Sequence, residues 1–185
     1  MTSHRPVTPA PSSSSDSPIV LRLLQAADTP DFRALRVAML HDTPSAYGAS
    51  PQDEAGLSDS DWLARIGPDD DTAAIGAYVD DGLIGSAVLA RQRPLKMRHK
   101  AVIWGVYVDA RWRGHGVARR LMTGLIAHAR QMPDLHQLTL AVTASNTAAH
   151  DLYRSLGFDT YSIAPAGLRV GEQWFDEKQM VLRLD

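Results

Sequence analysis

The chain contains no cysteine, which excludes disulfides, thiolate metal sites and cysteine nucleophiles at once. It has no apolar run near the ~20 residues that a bilayer-spanning helix requires. Its N-terminus carries no apolar segment of the kind that marks a secretory signal. A cytoplasmic location is the resulting expectation, with no membrane partner. A dominant charge is missing too: 19 Lys and Arg stand against 21 Asp and Glu, a formal net charge of -2. That balance gives no electrostatic argument for nucleic acid. No set of histidines and carboxylates has metal-ligand spacing, so no metal is expected.

What remains is an ordinary globular composition, 44% hydrophobic and 22% charged over 185 residues, enough for one domain with a proper core. Residues 1–17, rich in Ser, Pro and Thr, read as a disordered tail ahead of a domain at 18–185. Residues 19–24 predict a strand. Thr29 and Pro30 look like an N-cap and a first-turn proline opening a helix to about Leu40. Residues 41–57 read as a long irregular loop and 58–66 as a short helix. Residues 72–78 and 83–90 flank Asp80-Asp81-Gly82, a hairpin in which Gly82 would supply the positive φ. The nearly all-apolar stretch 101–108 predicts a central strand covered on both faces. Val117, Leu121, Leu125 and Ala129 recur at helical spacing, and Pro133 closes that helix. A strand at 138–142, a helix with Ala149, Leu152, Tyr153 and Leu156 on one face, and strands at 158–163 and 178–184 complete the order. Gly157 stands at the C′ position of that second helix. The pattern is that of an α/β (α+β) domain with a mixed sheet.

The most informative stretch lies between strand 101–108 and the helix beginning at Val117. A glycine-bearing turn there exposes unpaired N–H groups at the positive end of a helix dipole, an anion site, and Arg113 adds a donor and a charge. Gly114 and Gly116 would let a pyrophosphate approach the backbone. Nucleoside-triphosphate and dinucleotide fingerprints both fail: Val117 and Ala118 follow Gly116 where Lys and Ser/Thr are needed, and Arg119 replaces a third Gly or Ala.

Arg113, Gly116 and Ala118 fill the loop pattern Gln/Arg-x-x-Gly-x-Gly/Ala, and Asn146 leads a helix ending in Tyr153, Gly157 and Phe158. On these motifs the sequence resembles the GNAT superfamily of acyl-CoA N-acyltransferases over about residues 19–184. Pro44-Ser45-Ala46-Tyr47-Gly48 resembles the family's substrate-side loop, and Asp176-Glu177, Met180 and Leu182 its last strand. The resemblance implies a mostly antiparallel sheet of about seven strands with a splayed parallel pair, flanked by about four helices. It implies acetyl-CoA as acyl donor, bound by Val106, Tyr107, Val108, Arg113, Gly114, His115, Gly116, Val117, Ala118, Asn146 and Tyr153. The backbone of Val106 and Val108 would hold the pantetheine arm, an N–H near Val106 would stabilise the oxyanion, and Tyr153 would act as general acid to the CoA thiolate.

Several assignments stay open at this level. Gly105 fits a bulge or merely relieves crowding beside Trp104. Asn146 is a helix cap, a cofactor contact, or both. Tyr153 lies on an apolar face and would also serve packing. Stretch 101–108 has no carboxylate, so the general base is unassigned; His99 through water, Glu177 and Asp176 are alternatives without further support. Asp53, Glu54, Asp59, Asp61, Asp69, Asp70 and Asp71 make the acceptor half acidic, either to attract a cationic amine or simply as a solvated face. The acceptor is a small amine, an amino-acid derivative or a protein amino group. Homodimerisation is undecided, and a non-catalytic acyl-CoA-binding module is the alternative reading.

Overall fold

A computed structural model describes residues 18–67, 69 and 71–184. The tail read at 1–17 lies outside the described residues. Seven strands, β1 Val20–Leu23, β2 Thr72–Val79, β3 Gly82–Arg91, β4 Lys100–Val108, β5 Gln137–Thr143, β6 Asp159–Val170 and β7 Gln173–Arg183, form one sheet. Their order is β1-β2-β3-β4-β5-β7-β6. The helices are α1 Thr29–Asp42, α2 Pro51–Glu54, α3 Asp59–Ile66, α4 Val117–Ala129 and α5 Thr147–Ser155.

Every neighbouring pair is antiparallel except β4 with β5. That parallel ladder covers only Lys100↔Gln137, Ala101↔Leu138 and Val102↔Thr139. Beyond it β4 follows β3 and β5 follows β7, so the two strands part and leave a gap in the middle of the sheet. This is the splayed pair that the resemblance implied.

The helices hold the sheet from both sides. On one face α4 buries Leu121, Met122 and Leu125 completely, with α5 contributing Tyr153. On the other, Phe32 of α1 and Trp62 and Ile66 of α3 pack with Leu24 and Val88. Each fully buried side chain of this size contributes roughly 1.5–3 kcal/mol.

Local structure departs from the sequence expectations at several points. Asp28, not Thr29, holds the N-cap position of α1, and the Thr29 hydroxyl donates back to the Ala26 carbonyl at 2.7 Å. The hairpin turn carries its positive φ at Asp80 (51°), where a short polar side chain tolerates the left-handed region. Stretch 41–57 is not irregular throughout: Ser50 and Asp53 form a reciprocal capping box that starts α2. Helix α4 stops at Ala129, short of Pro133, and β6 and β7 extend to a turn at Gly171.

Strand β4 is not covered equally on its two faces. Ala101, Ile103, Tyr107 and Val108 are buried, whereas Val102, Trp104 and Val106 are only partly so. At Gly105 (φ 61°) the ladder with β3 skips from Ser86↔Tyr107 to Val88↔Trp104, a β-bulge. Before it Ala101 and Ile103 face the α4 core; after it Val106 and Val108 do, and Tyr107 turns to α1. The bulge re-aims the strand where the gap opens. A Cβ on Gly105 would meet nothing closer than 3.8 Å, so backbone handedness rather than crowding selects glycine.

Candidate active site

Two chambers meet in the gap between β4 and β5. The proximal one, about 650 Å³, runs from the turn before α4 to the start of α5. The distal one, about 400 Å³, lies between the splayed strands and reaches β7. Val106, Thr143, Asn146, Ala149 and Tyr153 border both, as do Ala46 and Tyr47.

A short strap divides them. Tyr47 donates its hydroxyl to the Val106 carbonyl at 3.0 Å on β4. The Thr143 hydroxyl on β5 donates to the Ser45 carbonyl. Stretch 45–47 therefore spans the gap from strand to strand. Tyr47 is partly buried, and the loss of water pushes its phenol well above the ordinary tyrosine range. Its role as a tie across the gap is invisible in the sequence, because its partner is a backbone carbonyl 59 positions away.

Gly114 (φ 81°) and Gly116 (φ 74°) both take left-handed backbone. An added Cβ at either would meet nothing within 4 Å, so their value lies in the turn they permit. Gly116 is the N-cap of α4, and no described side chain caps the helix there. The first-turn amides of Val117 and Ala118 are thus without a side-chain cap, the arrangement that suits an anion.

Most of the residues expected to bind the cofactor border the proximal chamber: Val106, Tyr107, Val108, Gly114, Gly116, Val117 and Ala118, with Arg113, Asn146 and Tyr153. His115 does not. Its ring turns onto the Arg113 carbonyl at 3.0 Å and the edge of Trp112, leaving only its backbone on the loop. Arg113 is not a free charge either. Its guanidinium bonds Asp42 and donates to the Val108 carbonyl at 3.1 Å, and this pairing holds the Asp42 carboxyl below its usual range.

The carbonyls of Val106 and Val108 are therefore taken by Tyr47 and Arg113. In a strand a residue's N–H and C=O point to the same edge, so the two amides also face the gap, where β5 offers no ladder partner.

Helix α5 explains the position of Tyr153. Asn146 accepts from the Ala149 N–H at 3.2 Å and is the N-cap. At the other end Gly157 (φ 94°) donates to the Arg154 carbonyl at 3.0 Å and Phe158 to the Tyr153 carbonyl at 3.1 Å. These two bonds form a Schellman cap, with Tyr153 at C3, Gly157 at C′ and Phe158 at C″. The Tyr-x-x-x-Gly-Phe spacing is the spacing of that cap, and the rings of Tyr153 and Phe158 pack at 6.1 Å as it requires. The tyrosine is buried, borders both chambers, and its phenol is pushed up to about 12 by burial.

Several residues of the acidic half are structural, Asp59 and Asp69 are exposed, and Asp70 lies outside the described residues. Asp53 and Asp61 close capping boxes, Asp71 pairs with Arg98, and Glu54 is buried between Arg36 and Arg65. None of these borders either chamber, nor does His99. Glu177 does, on the distal side.

The model of the acetyltransferase (GNAT) family matches residues 32–158, which include the strap, the glycine turn and the α5 motif. The chain belongs to this family. It is accordingly an acyl-CoA N-acyltransferase. Among its relatives, an L-amino acid N-acetyltransferase of Escherichia coli is 29% identical over 138 residues, covering 74% of this chain and 82% of that protein. An L-methionine sulfoximine/L-methionine sulfone acetyltransferase of Salmonella typhimurium is 35% identical over 81 residues, 43% of this chain and 46% of that protein. The structure of an acetyltransferase from Salmonella typhimurium with its cofactor acetyl-CoA superposes with a TM-score of 0.77 at 23% identity, covering 91% of this chain and 95% of the other.

Proposed function

We propose that the protein transfers the acetyl group of acetyl-CoA to the amino group of a small amino-acid acceptor by direct attack. The observation that carries this reading is the meeting of two chambers on Tyr153 and Val106 within one split sheet. The proximal chamber has an uncapped helix start and left-handed glycines suited to a diphosphate. The distal chamber is the size of a small molecule rather than a folded chain, and the relatives are named for amino-acid acceptors.

In this reading the turn at Gly114, Gly116, Val117 and Ala118 binds the diphosphate through backbone N–H groups. The Val106 and Val108 amides hold the pantetheine arm, and the Val106 N–H faces the oxyanion as the amine adds to the thioester carbonyl. An oxyanion donor of this kind is worth roughly 3–4 kcal/mol. Tyr153 donates to the departing sulfur. Its raised pKa keeps it protonated at neutral pH, but also makes outright proton loss to a thiolate of pKa ~8.5 uphill. The phenol therefore yields its proton only as the newly acylated nitrogen returns one.

The test is release of free CoA from acetyl-CoA with L-amino acids, simple amines and a peptide bearing a free N-terminus. Fastest release with amino acids is expected. No release with any amine, despite acetyl-CoA binding, would leave an acyl-CoA-binding module instead.

A further inference from the structure

Among the described residues bordering either chamber, Glu177 contributes the only carboxylate. It stands on β7 opposite Thr143 of β5 and Ala164 of β6. Strand β6 is broken beside it, with a register shift between Ala164 and Leu168 and a positive φ of 51° at Ala166. Asp176 secures that break by accepting from the Ala166 N–H at 2.8 Å. Gly167 then leaves room: a Cβ there would lie 2.8 Å from Glu177 Oε2 and 2.9 Å from its Cγ. The break, the glycine and the neighbouring aspartate together fix where this carboxylate sits. Among the described residues no ion pair or hydrogen bond occupies it.

The same chamber has a positive pole. Arg36 borders it, although its side chain is only 5% exposed. Glu54 accepts from Arg36 Nε at 3.1 Å and Nη2 at 2.8 Å, and from Arg65 at 2.9 Å. Two guanidiniums share one carboxylate, leaving a net positive charge in a poorly hydrated place. Among the described residues the hydrogen-bond partner of Arg36 Nη1 is the Met39 sulfur alone, a weak acceptor at 3.2 Å, while the guanidinium also lies 5.5 Å from the Tyr47 ring and 5.4 Å from the Trp104 ring. Arg36 Nη1 lies 3.9 Å from where a Cβ of Gly105 would stand, at the β4 bulge.

Taking the amino-acid reading as given, we infer that the distal chamber receives its acceptor as a zwitterion, the ammonium at Glu177 and the carboxylate toward Arg36 Nη1. Glu177 takes one proton from the ammonium before attack. The nitrogen lone pair then forms the C–N bond, the C–S bond breaks, and the sulfur takes the Tyr153 proton. The second proton lost by the nitrogen restores Tyr153, and Glu177 releases its own to solvent. Burial raises the Glu177 carboxyl above its ordinary value, which makes it a better base for this step.

The experiment measures kcat and KM by CoA release for L-amino acids, each against its own primary amide, which keeps the amine and removes the carboxylate charge. The unaltered enzyme is expected to prefer acid over amide by about 10-fold or more in kcat/KM. Arg36→Gln should abolish that preference through KM, while Arg36→Lys retains part of it. Glu177→Gln should lower kcat about 100-fold for acids and amides alike, with KM for acetyl-CoA unchanged. Equal rates on acids and amides in the unaltered enzyme would overturn the carboxylate pole, and an undiminished kcat in Glu177→Gln would overturn the base. Either result leaves transfer to amines standing, whereas silence across all amines removes the underlying reading as well. The outcome does not depend on Arg36→Gln folding, since the unaltered enzyme and Glu177→Gln decide it.

Discussion

At the scale of single residues, the site depends on polar groups held where water is scarce. Tyr153→Phe removes only the phenolic oxygen. It should lower kcat by about 10²-fold while leaving the KM for acetyl-CoA nearly unchanged, a split that steady-state kinetics resolves. A loss confined to KM would assign Tyr153 to packing. Glu54 serves stability instead, since its one carboxylate holds both Arg36 and Arg65 at 3% side-chain exposure. Glu54→Gln would leave two guanidiniums facing each other and should cost about 3 kcal/mol, read as a fall in melting temperature of about 10 °C. The sequence singled out Tyr153 because the helix cap imprints its spacing on the chain. It could not separate Asp176 from Glu177, adjacent carboxylates on one strand that point to opposite faces. Nor could it tell that Glu54 is spent on a buried ion pair, because its partners Arg36 and Arg65 are brought to it by folding.

At the scale of elements, the two helix starts bordering the cleft are built differently. Helix α5 is closed by Asn146, whereas α4 begins at a left-handed glycine without a side-chain cap. Asn146→Ala should therefore cost about 1 kcal/mol of stability, measurable by denaturant unfolding. Gly116→Ala should cost 1–3 kcal/mol for its positive φ. It should also weaken acetyl-CoA binding at least 10-fold by calorimetry, since the turn that aims the amides is lost. Intact affinity would remove the turn from the binding site. This arrangement was legible in the sequence: paired glycines between an apolar strand and an amphipathic helix are a local pattern. The strap was not, because Tyr47 and Thr143 find their partners across a gap that only strand order creates.

At the scale of the molecule, several carboxylates are held below their ordinary range, Asp28 down to about 2 through its bonds to Arg22. Asp42, Asp71 and Asp109 are shifted the same way by Arg113, Arg98 and Arg111. A depressed carboxylate contributes stability that is complete above its unfolded value near 4 and is lost as pH falls through its folded value. Glu177 is shifted upward and acts in the opposite sense, its charged form being disfavoured in the folded state. Stability should therefore be nearly flat above pH ~5 and fall between pH ~4 and ~2. Chemical denaturation across that range checks it. Asp28→Asn should flatten the lower part of the fall; an unchanged profile would show that the Arg22 pairing contributes nothing.

The sequence by itself determined the periodic elements, the glycine turn, the Asn146-to-Phe158 cap and the family they indicate. Each is encoded by residues within a few positions of one another, where propensity and hydrogen-bond geometry act locally. Only the tertiary structure decided which acidic residues are free, where the positive pole lies and how the strap closes the gap. The pole is set where α1, α2 and α3 meet at Glu54. The strap joins residues 59 and 98 positions apart across a gap that exists because β4 and β5 share three pairs of residues before parting.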